Sequence, residues 1–429
     1  MLRRAWMAGL AMVWMAALAH GSAFAESIRV GLTGYNSAAQ LTLSASPSLS
    51  VSRVDTGESL VAEGTDLILS VQGSKVSVKS GAGEAVLSDG AVLAAPNDPS
   101  AILSLVSNGR TRKYRGSVEV SAKNGALRVV NVVDVDDYLL GVLPSEMPDS
   151  YPEEAIKAQA ISARTYALRN SRKHAAQGFR ICDTSHCQTY GGVLAEKPKS
   201  TQAVLDTKGM VLTFDGQIAD VMYSTDCGGA TRNYSSENPT RSFPYLCGVV
   251  DPDDIPHICW EQNYTLHDLA VKLIKAGVKG ADGLLSVVIS KTEASGRALE
   301  VEITSSTGKN QISGEKIRSA LGLKSTLFSI ESTTDGGVAI KGKGFGHGVG
   351  MCQTGAKGLA LPPHSLTCEQ ILAHYFPGTA ITPAASQTTA QTTHQDIHKA
   401  ASKGAGKDMA KEQPLPVLLD IRLEAPDQL

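Results

Sequence analysis

The stretch EEAIKAQAISARTYAL, from Glu153 to Leu168, is the strongest helix signal in the first half of the chain. Alanine has the highest helix propensity, and its small side chain lets a neighbouring backbone approach closely. Before this run, Ser150 is a suitable N-cap, Pro152 suits a first turn, and Glu153 completes a capping box. The sequence therefore predicts a central, alanine-rich helix that begins near Pro152.

Short alternating or β-branched stretches precede this helix and predict a β-rich N-terminal region over residues 26–117. A later valine-rich strand is expected to be buried on both faces. The strands are expected at Ile28–Leu32, Ser50–Val54, Leu67–Val71, Lys75–Val78 and Arg128–Val135.

A small α/β subdomain is expected over about residues 265–325. Thr265 and Asp268 are suited to cap a helix at 266–276, and strands at 285–290 and 298–304 with a short helix at 314–320 follow. The predicted fold class is α+β: a β-rich exported protein with an alanine-rich central helix and this subdomain.

The N-terminal end of the chain predicts its compartment, and the C-terminal end predicts a disordered segment. Arg3 and Arg4 precede an apolar run from Ala5 to Ala19, and a small-residue site at residues 23–25 predicts cleavage before Glu26. Residues 1–25 are thus expected to be a signal peptide, and the mature protein is expected in the periplasm or cell wall. Residues 384–429 are rich in Ser, Thr, Gln, Ala and Lys and are expected to be a disordered tail.

The composition argues against nucleic acid as a partner. The 42 acidic and 40 basic residues nearly balance, and aromatic residues make up only 5% of the chain. Neither a positive field nor a base-stacking platform is therefore expected. The segment Gly337–Lys343 resembles a phosphate-binding loop, but Gly344 follows where a Ser or Thr would bind magnesium, so no nucleotide is expected.

The chain has 7 cysteines, which in an oxidising compartment predict disulfides, although an odd number leaves at least one unpaired. Four residues could instead bind a metal. Two thiolates and two imidazoles suit tetrahedral zinc, and a Cys182–Cys187 disulfide is the alternative. The set is His174, Cys182, His186 and Cys187.

Glu146 is the candidate acid. It lies in the stretch DDYLLGVLPSEMP, residues 136–148, which is interpreted as a loop ahead of the central helix. Its neighbours Leu143, Met147 and Pro148 are apolar, and a partly desolvated carboxyl keeps its proton more readily, as a general acid requires. The alternative is a carboxylate that stabilises the start of the helix.

A glycine-rich stretch from Gly342 to Gly350 presents His347. Glycines at alternate positions indicate a backbone held close to a ligand or to another chain segment. His347 is therefore a candidate to bind sugar or Glu146, or a satisfied histidine at a tight sheet corner.

These blocks, in this order over roughly residues 115–380, resemble the stage II sporulation protein D (SpoIID)/LytB family. Each block alone is weak, whereas the set is highly specific. The matching blocks are Asn131 to Pro148, Glu154–Ala160, Ala163–Ala167, Gln188–Gly192, Tyr223–Thr231, Pro244–Leu246, the glycine-rich stretch with Gln353–Ala356, and Ile371–Thr379.

The resemblance implies that residues 118–383 form a lytic transglycosylase region, with Glu146 at the position of the family's catalytic glutamate. It would cleave peptide-stripped peptidoglycan strands between MurNAc and GlcNAc and leave 1,6-anhydroMurNAc ends. Lys157 and Arg164 match the family's basic residues and would bind sugar or stabilise developing charge. His347 and Tyr190 are further candidates to bind substrate. The resemblance also implies a structural zinc at the two histidines and two cysteines, with no cofactor required for the chemistry.

Two other functions compete with this interpretation. The same family contains amidase enhancers, so the chain could instead bind glycan and stimulate an N-acetylmuramoyl-L-alanine amidase without cleaving anything. A cysteine hydrolase using Cys352 with His347, or Cys187 with His186, is the third hypothesis. Cys227 and Cys352 stand where the family is expected to have small polar residues, which argues against a thiol nucleophile. These two cysteines, or others nearby, are instead expected to form disulfides particular to this lineage, with a pairing that the sequence leaves open.

Overall fold

The structure is a computed structural model that describes residues 26–384, apart from 82, 84, 171–172 and 237–241. The predicted signal peptide and residues 385–429 of the predicted tail lie outside this part. Within it, no helix is long and apolar enough to cross a membrane. Helices and several sheets are mixed along the chain, which confirms the predicted α+β class.

The N-terminal strands belong to one 11-stranded sheet. The predicted segments lie in these strands, but β2 begins ten residues before the predicted Ser50. Serines alternate with its buried Leu41, Leu43, Leu49 and Val51, so its hydrophobic signal is weak although its inner face is apolar. The strands are β1 Ser27–Gly31, β2 Gln40–Arg53, β3 Ser59–Gln72, β4 Lys75–Ser80, β5 Val86–Ser88, β6 Val92–Pro96, β7 Leu103–Ser107, β8 Arg110–Tyr114, β9 Ser117–Lys123 and β10 Ala126–Asp134.

Strand β10 runs directly into helix α1, Val135–Glu146. The side chain of Asp134 caps this helix by accepting hydrogen bonds from the backbone N–H groups of Asp136 and Asp137. The interpretation of Glu146 as a loop residue is therefore wrong, because it is the last residue of α1. Pro144 lies inside α1, two residues before its end, and removes the backbone N–H that would bond to the carbonyl of Leu140.

The alanine-rich segment forms helix α2, Glu153–Arg169, as predicted. Its N-cap is Pro152, with no side-chain cap, so the predicted capping role of Ser150 is wrong. The helix is buried along most of its length, including Ala155, Ala158 and Ala163. Small side chains let α2 pack closely against α1, and both helices contribute with the large sheet to one hydrophobic core.

Short elements follow α2 along the chain. Strand β11, Ile181–Cys182, joins the large sheet by pairing in parallel with β1. Next come helix α3, Pro198–Asp206, and strands β12 Met210–Phe214, β13 Gln217–Ile218 and β14 Tyr223–Ser224.

Residues 259–343 build a second hydrophobic core. Thr265 caps its first helix through the backbone N–H of Asp268, as predicted. The predicted strands and short helix are also present, together with β18 and two flanking strands that pair with β20. The elements are β15 Cys259–Tyr264, α4 Leu266–Lys275, β16 Leu284–Thr292, β17 Ala298–Ser305, β18 Gly308–Ser313, α5 Gly314–Leu321, β19 Phe328–Ser332 and β20 Val338–Lys343.

The chain returns to the first core through the glycine-rich stretch. Strand β21, Met351–Cys352, pairs in parallel with β14, and Gly350 passes so close that a Cβ atom would lie 2.1 Å from the carbonyl oxygen of Met222. The expected close approach is thus to another chain segment. The last elements are α6 Gln353–Leu359, α7 Cys368–Tyr375 and β22 Ala380–Pro383, which pairs with β12.

Candidate functional site

Glu146 ends α1 with its side chain partly exposed. Its Oε1 atom accepts a hydrogen bond from the backbone N–H of Thr189, with 2.7 Å between oxygen and nitrogen. An oxygen of a carboxyl group can accept such a bond in both the protonated and the ionised form. A loop 43 residues further along the chain therefore orients this carboxyl group at the surface.

Tyr190 anchors that loop against α1. Its side chain is 2% exposed, its hydroxyl donates to Oδ1 of Asn131 at 3.0 Å, and its ring packs on Tyr138 with centroids 4.8 Å apart. Gly141 permits this contact, because a Cβ atom there would lie 2.7 Å from the Tyr190 ring. Tyr190 was expected to bind substrate, but its burial leaves almost no surface for a glycan.

Gln188, in the same loop, links α1 and β14 to α2 through hydrogen bonds. The buried amide donates to the hydroxyl of Tyr223 at 2.9 Å and to the carbonyl of Ala163 at 3.1 Å, and it accepts from Tyr138 at 3.1 Å. Burial raises the pKa of Tyr223 well above its usual range, and the negative charge of Glu146 adds to the rise. Tyr223 is therefore a neutral phenol close to the Glu146 carboxyl group at any physiological pH.

Arg164 lies wholly inside the protein, with 0% exposure. Its guanidinium forms an ion pair with Oδ1 of Asp136, 2.7 Å from Nε, and donates to the carbonyl oxygens of Met210 at 3.0 Å and Val204 at 3.4 Å. These three contacts link α2 to α1, β12 and α3, respectively. Direct contact with a glycan, which the resemblance implied, is incompatible with this burial.

Lys157 also faces α3. Its Nζ atom lies 2.5 Å from Oε1 of Glu153 and 3.3 Å from Oδ2 of Asp206, the last residue of α3. The hydrogen bond to Glu153 raises the pKa of Lys157. Lys157 and Arg164 thus share one helix face, but α3 covers that face and carboxylates already neutralise both cations.

The four predicted metal ligands meet in one cluster. One ligand atom from each of His174, Cys182, His186 and Cys187 lies within 4.8 Å of the other three. Nε2 of His174 is 3.3 Å from the sulfur of Cys187, and Nδ1 of His186 is 3.6 Å from both sulfurs. Two thiolates and two imidazoles at these separations fit the ligand set of a structural zinc ion.

Neighbouring groups already orient these ligands. Nδ1 of His174 lies 2.6 Å from Oε1 of Gln177, and Lys173 donates to the carbonyl of His186 at 2.8 Å. Metal-binding histidines commonly use their second ring nitrogen in this way. Hydrogen bonding between the two sulfurs lowers the pKa of Cys182 and raises that of Cys187, and neither cysteine forms a disulfide.

His347 is partly buried in the glycine-rich stretch. Its Nδ1 atom accepts from the backbone N–H of Val349 at 3.0 Å, so Nδ1 carries no proton. Burial lowers the pKa of His347 to about 3, and the charges of Arg318 and Arg297 contribute. The ring is therefore neutral at physiological pH and turns back onto its own loop.

Known proteins match the region that contains Glu146 and the metal-ligand cluster. A family model described as stage II sporulation protein covers residues 123–214, and a model for a domain of unknown function covers residues 230–350. Stage II sporulation protein D of Bacillus subtilis is 31% identical over 295 residues, which is 65% of this chain and 83% of that protein. The chain belongs to the SpoIID family.

Two further relatives of this SpoIID chain differ in name. The amidase enhancer of B. subtilis is 31% identical over 57% of the chain but only 40% of its own length. An uncharacterised protein of Brachyspira hyodysenteriae is 34% identical over 63% of this chain and 72% of that protein. All candidate site residues except His347 lie within the SpoIID match.

Several supporting residues of this SpoIID site were not found by reading the sequence. Thr189 contributes only a backbone N–H, which any residue type provides. Gln188 lay in a recognised block without a role, although a glutamine between tyrosines can bridge two hydroxyls. Asp136, the partner of Arg164, was visible only as one of two adjacent acids.

Proposed function

We propose that this protein is a peptidoglycan lytic transglycosylase that acts after export from the cytoplasm, in the periplasm or cell wall. Membership of the SpoIID family links the chain to cell-wall processes. The observation that carries the proposal is the carboxyl group of Glu146, partly exposed at the end of α1 and oriented by the Thr189 N–H. General acid–base catalysis needs such a positioned carboxyl group.

One carboxyl group is sufficient for this reaction. Protonated Glu146 donates its proton to the oxygen that links C1 of MurNAc to GlcNAc, and the C1–oxygen bond breaks. The C6 hydroxyl of the same MurNAc then attacks C1, and the Glu146 carboxylate takes the hydroxyl proton. A 1,6-anhydro bond forms, no water is consumed, and the acid is regenerated, in contrast to glycosidases that use two carboxylates.

The buried residues around Glu146 act as positioning residues in this scheme. Tyr190 and Gln188 fix the loop that carries Thr189, and Arg164 fixes α2 against α1 through Asp136. A zinc ion held by His174, Cys182, His186 and Cys187 would supply structural cross-linking, with no part in the bond-breaking step. Its ligand Cys187 lies two residues before Thr189, so metal binding would hold the loop that orients Glu146.

The assay for this function is the release of 1,6-anhydroMurNAc ends from peptide-stripped glycan, followed by mass spectrometry. The purified protein is expected to produce such ends, and more slowly from strands that still carry stem peptides. Buffer-treated glycan is the control. Failure to produce these ends from either glycan would contradict the proposal.

A second function is favoured by the relative named amidase enhancer. In that case the protein would bind glycan and raise the rate of an added N-acetylmuramoyl-L-alanine amidase, with no anhydro product of its own. Glu146→Gln would leave this stimulation intact, because binding requires no proton transfer. Measuring both outputs with the same preparations separates the two functions.

A further inference from the structure

A second cluster of metal-ligating side chains lies apart from the site described above. One ligand atom from each of Asp226, Cys227, His257 and Cys352 lies within 4.8 Å of the other three. Three of these residues are 0% exposed, and the side chain of His257 is 10% exposed. Burying two thiols, a carboxylate and an imidazole together is costly unless their charges and hydrogen bonds are compensated.

The imidazole of His257 is oriented as in many metal sites. Its Nδ1 atom lies 2.8 Å from Oδ1 of Asp226, whose carboxylate also accepts from the backbone N–H groups of Gly228 at 2.7 Å and Ile258 at 2.8 Å. Both carboxylate oxygens of Asp226 are therefore occupied by hydrogen bonds, and Asp226 acts as the partner of Nδ1. A carboxylate that holds one ring nitrogen so that the other can bind metal is the usual arrangement.

The other ring nitrogen, Nε2, is buried and makes no hydrogen bond with the described residues. It lies 3.5 Å from Oδ2 of Asp251, a second buried carboxylate. The same Oδ2 lies 3.1 Å from the sulfur of Cys227. The other oxygen, Oδ1, accepts from the hydroxyl of Tyr375 at 2.6 Å.

The sulfur of Cys352 is surrounded by donors. It accepts from the backbone N–H groups of Cys227 at 3.1 Å and Gly355 at 3.2 Å. Such bonds stabilise negative charge on sulfur, as they do for sulfurs in metal clusters. A protonated His257 would offset only one of the buried negative charges, whereas a divalent ion would also allow both thiols to ionise.

We propose that Cys227, Cys352 and Nε2 of His257 bind a zinc-class divalent cation, with Oδ2 of Asp251 as the fourth ligand. Two sulfurs, one nitrogen and one carboxylate oxygen suit a tetrahedral, borderline-soft ion such as Zn²⁺. Asp226 and Tyr375 hold two of these ligands from outside. The site has no open coordination position and is structural.

The position of this cluster indicates what the ion would stabilise. The chain leaves the first core at Ile258 and returns at Gly344 and Phe345. Gly344 donates to the carbonyl of Ile258 at 2.8 Å, and Asp226 exchanges two backbone hydrogen bonds with Phe345. The ion would cross-link the start and end of the second core's segment, and so hold the glycine-rich stretch and the beginning of α6.

A disulfide between Cys227 and Cys352 is the competing state. Its formation would remove two electrons and two protons to an external oxidant and would eliminate both sulfur ligands. Both thiols are free in the structure, and Cys227 is directed at a carboxylate. Oxidation and metal binding therefore exclude each other, so an experiment can distinguish the disulfide state from the metal-bound state.

The test measures metal content in the full exported chain, loaded with Zn²⁺ under reducing conditions and freed of excess. Wild type is expected to contain about two zinc ions per chain, one at each Cys- and His-containing cluster. Cys227→Ser/Cys352→Ser is expected to lose one of them. The matched control Cys247→Ser/Cys259→Ser, at two cysteines outside both clusters, is expected to lose none.

Cobalt distinguishes this site from the first one, because thiolate ligands give Co²⁺ a characteristic absorption band. The Cys182→Ser/Cys187→Ser variant, loaded with Co²⁺, is expected to keep a thiolate-to-cobalt absorption band that disappears when Cys227→Ser and Cys352→Ser are both added. Absence of that band in the variant with the intact second cluster would overturn the proposal. A Cys227–Cys352 cross-link found by non-reducing peptide mass spectrometry after zinc loading would overturn it as well.

Discussion

The Oε1 atom of Glu146 lies 2.7 Å from the backbone nitrogen of Thr189, two residues after Cys187. This contact joins the end of α1 to the loop that contains a predicted metal ligand. The orientation of the proposed acid therefore depends on how that loop packs. The first two predictions concern this dependence.

Gly141→Ala is expected to slow anhydro-product release and to destabilise the protein by roughly 1–3 kcal/mol, as overpacking does. The new Cβ atom would lie 2.7 Å from the Tyr190 ring and 2.9 Å from the carbonyl oxygen of Gly192, so the loop must move. Urea unfolding and initial rates on stripped glycan measure the two effects. Gly34→Ala is the control, because its Cβ would meet no atom within 4 Å. Equal behaviour of the two variants would contradict the packing argument.

Cys182→Ser is expected to remove about one zinc ion per chain, because zinc would lose one of four ligands. It should also lower the melting temperature and the rate on glycan, since the loop that carries Thr189 would lose its cross-link. Metal analysis, thermal unfolding and the glycan assay check the three effects. Cys259→Ser, at an exposed thiol, should change none of them. Wild-type zinc content in Cys182→Ser would rule out this site.

Arg164→Met is expected to cost about 3–5 kcal/mol, because it leaves the carboxylate of Asp136 without its buried partner. Arg169→Met breaks a partly exposed pair with Asp220 and should cost less than about 1 kcal/mol. Urea unfolding of both variants gives the comparison. If Arg164 instead contacted the glycan, its replacement would raise KM and leave the unfolding free energy unchanged.

His347 is expected to make the protein less stable in mild acid. The folded-state pKa of about 3 lies below the unfolded value of ~6.5, so below pH ~6.5 the unfolded chain binds more protons. The stability contributed by neutral His347 is complete above pH ~6.5 and is lost progressively as the pH falls toward 3. His347→Asn keeps an acceptor for the Val349 N–H without a titrating ring. Its urea midpoint should fall less than that of wild type between pH 7.5 and 5; an equal fall would contradict this role.

The sequence was sufficient for features that depend on local signals. The alanine run predicted α2, and the Thr265–Asp268 pair predicted the cap of α4. The histidines and cysteines between 174 and 187 were close enough in the chain to be recognised as one set. Glu146 was singled out from its block, although that block was wrongly interpreted as a loop.

Features that depend on distant contacts could not be predicted. The burial of Arg164 depends on carbonyl oxygens of Val204 and Met210, which are 40 and 46 residues further along the chain. The second cluster brings together Cys227 and Cys352, which are 125 residues apart in the sequence, so no short spacing motif could predict it. Propensity and spacing carry no information about such pairs, because only the packed sheets and helices bring them together.

The most direct test of the proposed function compares Glu146→Gln with wild type on peptide-stripped glycan, counting 1,6-anhydroMurNAc ends by mass spectrometry. Glutamine keeps the size of the side chain and an oxygen for the Thr189 N–H but cannot transfer the proton. The account predicts a loss of at least ~100-fold in rate, the usual effect of removing a general acid. Glu63→Gln, on an exposed position of β3, should cleave at the wild-type rate. Release of anhydro ends by Glu146→Gln at the wild-type rate would contradict the central claim.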